Sequence, residues 1–173
     1  MNHRFTKASM LTFSALVAAA YVAIMYVTQG FAFGPVQMRI ATALYALPYL
    51  FPFLVVPLAL ANMLSNMLMG GLGMFDIVGG FAVGLVTAGT PALFRRLNLP
   101  TWTVILPVIL GPALIVPLWL SRLFAVPEWL AYLTGVPPYW LFVISLALGQ
   151  IVPSILGYIL VKAISKRKEI NHE

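Results

Sequence analysis

Long apolar runs, separated by short clusters of charge, proline and glycine, dominate the chain. A helix needs about 20 mostly apolar residues to cross a hydrocarbon core of about 30 Å. Four stretches meet that length at once: Ala8 to Val27, Met74 to Phe94, Thr101 to Leu120 and Pro138 to Ala163. The apolar region from Ile40 to Met69 is too long for one ordinary span, and Pro48, Pro52 and Pro57 remove helical donors inside it. Two helices that turn near Pro52 are expected there. The expected fold class is an all-α membrane protein, one integral membrane domain with six transmembrane helices at about residues 8–28, 40–52, 53–69, 74–94, 101–121 and 138–164.

The basic residues test that division. With a cytoplasmic N-terminus and six spans, Arg4, Lys7, Arg95, Arg96, Lys162, Lys166, Arg167 and Lys168 fall inside, and only Arg39 and Arg122 fall outside. Merging the two middle helices puts either Arg95 and Arg96 or the first basic cluster on the wrong side. Both termini are therefore expected in the cytoplasm. One tension accompanies this count: Ile40 to Phe51 is short for a crossing. The preceding segment, Gln29 to Arg39, must then lie partly in the membrane or fold as an outer lid, where irregular backbone is tolerated only against protein or a cavity.

Composition agrees with a membrane location, since 62% of the residues are hydrophobic and 8% charged, against about 25% charged in soluble domains. A formal charge of +6 raises nucleic acid as a partner, but the basic residues sit at the termini and helix ends and form no solvent-facing stripe. Ala8 to Val27 follows Arg4 and Lys7 as a signal peptide would. It is long enough to span and leads into further apolar segments without a clear cleavage site, so a retained helix is expected.

Several chemistries are excluded by missing parts. There is no cysteine, and His3 and His172 both lie in the tails, which leaves no histidine within the spans as a base or metal ligand. No phosphate loop of the G-x-x-x-x-G-K-[ST] type is present, so an ATP-driven process must take its motor from another chain. Asp76 stands nearly alone, unlike the acid relays of proton-coupled carriers. An enzyme is not expected, nor is a resident metal or cofactor.

Within the spans a few polar and small residues stand out. Ala15, Ala19 and Ala23 recur at four-residue spacing, with Ser14 and Ala18 on an adjoining row, a smooth face that permits close helix approach. On spacing alone, packing within the same chain is the favoured use of that face. Gly80, Gly84 and Ala88 form a second such stripe, expected to be internal. Arg39 and Asp76 lie near the expected outer face, where a charge costs about 2.5 to 3.5 kcal/mol even on the lenient insertion scale. They are binding candidates, with mutual pairing, or helix capping by Asp76, as the plainer alternatives. Asn62 and Asn66 share a helix face beside Ser65 and suit interhelical hydrogen bonding. Gln150 interrupts the last span and needs a polar partner. Trp119, Trp129, Tyr132, Tyr139 and Trp140 gather at the expected outer boundary as an aromatic belt, from which one or two rings can stack on a planar ligand.

The segment FGPVQMRIATALYALPYLFP, Phe33 to Pro52, followed by LANMLSNMLMGGLGMFDIVGG, Leu60 to Gly80, resembles the QueT family, and the closing GQIVPSILGYIL, Gly149 to Leu160, resembles that family's final helix. These are substrate-binding (S) components of energy-coupling factor transporters, associated with queuosine precursors. The resemblance implies a compact six-helix S-component-like bundle that works with a transmembrane coupling protein and two cytoplasmic ATPases. It also implies that Ala15, Ala19 and Ala23 dock the coupling protein. Two positions depart from the family pattern: Thr42 stands where a stretch like RISEAL has its acid, and Gln150 stands where the last helix usually reads GE. Both neutral replacements point to a ligand with less positive charge than an aminomethyl deazaguanine.

The expected substrate site is thus Gln37, Arg39, Asp76, Trp140 and Gln150. There the Asp76 carboxylate accepts the paired N–H donors of a deazaguanine, Arg39 supports that charge or donates to the ligand carbonyl, and an aromatic ring stacks. A stand-alone secondary carrier or a structural membrane subunit for another small nutrient remains the competing class.

Overall fold

A computed structural model of the chain describes residues 6–33, 37–70, 73–125 and 133–170, with side chains up to residue 167. Every regular element among the described residues is helical, so no strand edge faces lipid. Helix α1 (Lys7–Val27) begins at Thr6, whose hydroxyl accepts the Ser9 backbone N–H at 3.2 Å. Val17, Tyr21 and Met25 recur every four residues and are buried, whereas Leu11, Leu16, Tyr26 and Val27 are exposed. Large apolar side chains left uncovered along a whole helix face suit lipid, not water.

One helical turn, Gln29–Ala32, follows α1, and the chain then enters the bundle at Arg39 to begin α2 (Ile40–Tyr49). Helix α3 (Pro52–Gly70) ends in a π turn over Asn66–Gly70. It is followed by α4 (Met74–Arg96), α5 (Thr101–Leu123), α6 (Pro138–Gly149) and α7 (Ile151–Ile170). Helices α6 and α7 meet at a 41° bend. Pro153 supplies no N–H to the Gly149 carbonyl, which removes a hydrogen bond where the axis breaks.

Four single helices (α1, α3, α4, α5) and the bent α6–α7 pair have the length and apolarity of a span. The expected span over residues 40–52 differs. It is a 3₁₀ helix of ten residues, and at about 2 Å per residue it reaches only about 20 Å, short of a hydrocarbon core. Eight of those ten residues are buried. Helix α2 is therefore the centre of the bundle, with its small residues admitting the neighbours closely. A Cβ at Gly157 of α7 would stand 2.7 Å from the Ala43 carbonyl oxygen. The Gly80, Gly84 and Ala88 stripe is internal, and a Cβ at Gly84 would meet the Ala59 Cα of α3 at 2.7 Å.

The two ends of the bundle differ in chemistry. Phe13 of α1 packs edge-on against Phe51 at 5.2 Å, and the Tyr49 hydroxyl donates to the Leu99 carbonyl at 2.6 Å. Arg95 lies 5.5 Å over the Tyr49 ring, and Ala46, Tyr49, Val104 and Val161 are buried together. The start of α1, the ends of α2, α4 and α7, and the start of α5 thus share one end. Lys7, Arg95, Arg96, Lys162, Lys166 and Arg167 all belong to it. The opposite half of the bundle holds the buried Gln37, Arg39, Asn62, Asn66, Asp76 and Gln150.

Candidate substrate site

The polar cluster is built where the start of α2, the end of α3, the start of α4 and the α6–α7 bend converge. Arg39 is 6% exposed and directly precedes α2. Its Nη1 donates to Asn62 Oδ1 at 3.3 Å and Asn66 Oδ1 at 3.2 Å, its Nε donates to the Ala32 carbonyl at 3.3 Å, and its guanidinium lies 4.9 Å over the Phe33 ring. Neutral acceptors and a ring face therefore hold a buried cation.

The two asparagines are bridges as well as acceptors. Asn62 Nδ2 donates to the Gly80 carbonyl at 2.7 Å and Asn66 Nδ2 donates to the Asp76 carbonyl at 2.9 Å, which fastens α3 to the first turns of α4. The hydroxyl of Tyr21 reaches Asn62 Oδ1 at 3.2 Å and meets the Tyr45 hydroxyl at 3.1 Å. The interhelical use expected of these amides is thus present, and they also orient Arg39.

Gln150 occupies the bend, where the backbone is free of regular helix. Its Nε2 donates to the Gln37 carbonyl at 3.0 Å, and its Oε1 lies 2.6 Å from the Thr42 hydroxyl. Thr42 has one proton for two acceptors, Gln150 Oε1 and the Arg39 carbonyl, each at 2.6 Å. The two positions that depart from the family pattern are therefore hydrogen-bonding neighbours. Gln37 holds φ at +44°, a left-handed conformation uncommon outside glycine, and such strain gathers at binding sites.

Asp76 is 2% exposed, and the structure does not use it as a cap. Gly73 is the N-cap of α4 and no side chain caps that end, so Asp76 stands three residues further on. No ion pair joins it to Arg39. Its Oδ2 is buried without a hydrogen-bond partner, and so is Trp119 Nε1. The indole N–H lies near enough to the carboxylate to interact with it, yet hydrogen-bond geometry is not met.

Gln37, Arg39, Asp76 and Gln150 border one enclosed cavity, together with Thr42, Asn66 and Trp119. Its volume is about 10 Å³, about the room of a single water molecule. Trp140 is not among the lining residues. It is 51% exposed in the first turn of α6, edge-on to Tyr139 at 5.1 Å. Tyr139 anchors that turn by donating to the Leu114 carbonyl at 2.9 Å, which leaves Trp140 facing outward. The aromatic residues at the cavity are Tyr45 and Trp119, the latter one of the five belt aromatics from which one or two rings are expected to stack on a ligand. Trp119 lies against Gly79, where a Cβ would stand 2.7 Å from the indole ring, a contact that only the packed structure reveals. Trp129 and Tyr132 lie outside the described residues.

Ala15, Ala19 and Ala23 are exposed and line an apolar groove of about 1020 Å³ between α1 and α3, with Pro57, Leu60 and Leu64 opposite. None of the described residues covers this face.

No curated protein and no solved structure matches the chain. A family model described as QueT transporter matches residues 11–166, which includes every element of the cluster and the whole of the α1 groove. The chain therefore belongs to the QueT transporter family, a family of membrane transporters and not of enzymes.

Proposed function

We propose that this chain is the substrate-binding S component of an energy-coupling factor importer, and that its cargo is a queuosine precursor of the deazaguanine type. The observation that carries the reading is the enclosed polar cluster around Asp76, which gathers the buried charged and amide side chains of a largely apolar interior. A buried carboxylate with a free oxygen suits the adjacent N–H donors on the pyrimidine edge of a guanine-like base. Arg39, fixed by Asn62 and Asn66, keeps a positive charge beside that carboxylate. A bicyclic base needs more room than the closed cavity offers. The Thr42–Gln150 and Gln150–Gln37 contacts are the ones a ligand replaces on entering.

The Thr42 and Gln150 pair is neutral, which leaves Asp76 as the one acid among the described residues bordering the cavity. That favours a neutral substituent on the base, such as a nitrile, over an aminomethyl cation.

The rest of the reading follows from what the chain lacks and leaves uncovered. It carries no phosphate loop, so a transmembrane coupling protein and two cytoplasmic ATPases supply the power stroke. The exposed alanine face on α1 suits close docking of the coupling protein's helices. The basic end faces the cytoplasm, which puts both termini there and the polar cluster toward the outside of a multi-pass cell-membrane protein. In this orientation α2 serves as the sixth, shortened pass. Native mass spectrometry of the purified full-length protein tests the cargo. A retained deazaguanine, with a coupling protein and ATPases co-purifying, supports the proposal. Retention of an unrelated molecule together with uptake in cells lacking the ATPases contradicts it.

A further inference from the structure

The cavity contains two buried polar atoms that no other group satisfies, and they differ in kind. Asp76 Oδ2 accepts and Trp119 Nε1 donates. Arg39 and Gln150 at the cavity already have partners, Arg39 on the asparagines and Gln150 on Thr42 and the Gln37 carbonyl. A buried polar group without a partner costs about 1 to 3 kcal/mol, and two side by side in one cavity are unusual in a folded interior.

Both groups lie close against glycines. A Cβ at Gly79 would come 2.7 Å from the Trp119 Cη2 and 2.9 Å from its Cζ2, so only glycine lets the indole lie on the α4 backbone. A Cβ at Gly70 would come 2.8 Å from Asp76 Oδ2, so the carboxylate rests against the end of α3 in the same way. The donor and acceptor are thus neighbours whose geometry falls short of a mutual hydrogen bond.

We infer that Asp76 and Trp119 together read a lactam edge, an N–H next to a C=O, and that Trp119 selects a 6-oxo ring over a 6-amino ring. This inference rests on the deazaguanine reading above. In a 6-oxo base the ring N–H meets the carboxylate and the carbonyl meets the indole N–H. A 6-amino base reverses both, setting a bare ring nitrogen against the carboxylate and an amine against the indole donor. Mismatch on both sides leaves buried groups unpaired, the arrangement that gives the steepest discrimination between otherwise similar ligands.

The test uses the purified full-length protein and two probes that differ at this edge: deazaguanine and 2,6-diamino-7-deazapurine. The unaltered protein should prefer the 6-oxo base by about a hundredfold or more. Trp119→Phe keeps a ring but removes the donor; it should weaken deazaguanine about tenfold and leave the diamino base unchanged, which shrinks the ratio by the same factor. Gly79→Ala displaces the indole without removing it and should shift the ratio in the same direction. Unaltered protein that binds the two probes equally overturns the inference while sparing the deazaguanine reading, and needs no variant to fold. An unchanged ratio in a folded Trp119→Phe protein overturns it too. Unaltered protein that binds neither probe overturns the deazaguanine reading itself.

Discussion

Replacing Asp76 by asparagine isolates the charge from the shape of the side chain. Asp76 sits in the first turn of α4, where a carboxylate gains about 0.3 to 1 kcal/mol from the helix dipole. It makes no cap hydrogen bond and no ion pair, and its Oδ2 has no hydrogen-bond partner, so Asp76→Asn breaks no hydrogen bond within the chain through that atom and gives up only its longer-range attraction to Arg39 and the Trp119 N–H. The bond from Asn66 runs to the Asp76 backbone carbonyl and survives the change. Stability should therefore fall by about 1 kcal/mol or less, a Tm change of about 2 to 4 °C for a chain of this length. Binding should respond more. A hydrogen bond to a charged group contributes about 1.5 to 3 kcal/mol, and the asparagine amide also points a donor at the ligand's own N–H if it turns the wrong way. The expected loss is about ten- to a hundredfold in Kd. Titration of deazaguanine into the detergent-solubilised protein, followed by indole fluorescence, measures it, because Trp119 borders the same cavity. Full-strength binding by Asp76→Asn refutes the proposed role of the carboxylate.

Ala19→Trp fills the α1–α3 groove, where Ala19 is exposed, so it should block co-purification with the coupling protein and leave ligand titration unchanged; the reverse pattern returns that face to the internal core. Gln150→Glu restores a second acid next to Thr42 and should shift preference toward aminomethyl over cyano deazaguanine by about tenfold or more, read by competition binding; an unchanged preference removes charge at this position from the account of selectivity. Reporter fusions at the N- and C-termini should both report the cytoplasm, given that Lys7, Arg95, Arg96, Lys162, Lys166 and Arg167 share one end of the bundle; opposite sides contradict an even number of passes.

Helix positions were legible because length and hydropathy largely determine them: the expected 53–69 and 74–94 lie within helices Pro52–Gly70 and Met74–Arg96. Helix α2 was placed correctly along the chain but not in its form. Nothing in Ile-Ala-Thr-Ala-Leu-Tyr-Ala-Leu-Pro-Tyr announces 3₁₀ geometry, which stretches a short segment through the packed centre. Arg39 and Asp76 were legible as charges too costly for lipid and Gln150 as an amide interrupting the last span, and Gln37 joined them through the resemblance. The aromatic residue was not, because Trp119 and Trp140 look alike in composition and depth. Which of them turns inward depends on Gly79 across the helix pair and on the Tyr139 anchor, both tertiary facts. The capping alternative for Asp76 also needed the structure, since cap position depends on where the helix begins, a boundary that pattern leaves uncertain by a few residues.

The central claim is that this chain captures a deazaguanine for an ATP-driven importer. Its most direct test is uptake of radiolabelled cyano deazaguanine into proteoliposomes containing this protein, the coupling protein and the two ATPases. Accumulation that requires ATP, needs every subunit and is lost with Asp76→Asn is the predicted result. Equal uptake by this protein alone, with or without ATP, would contradict the account and make the chain a self-sufficient carrier.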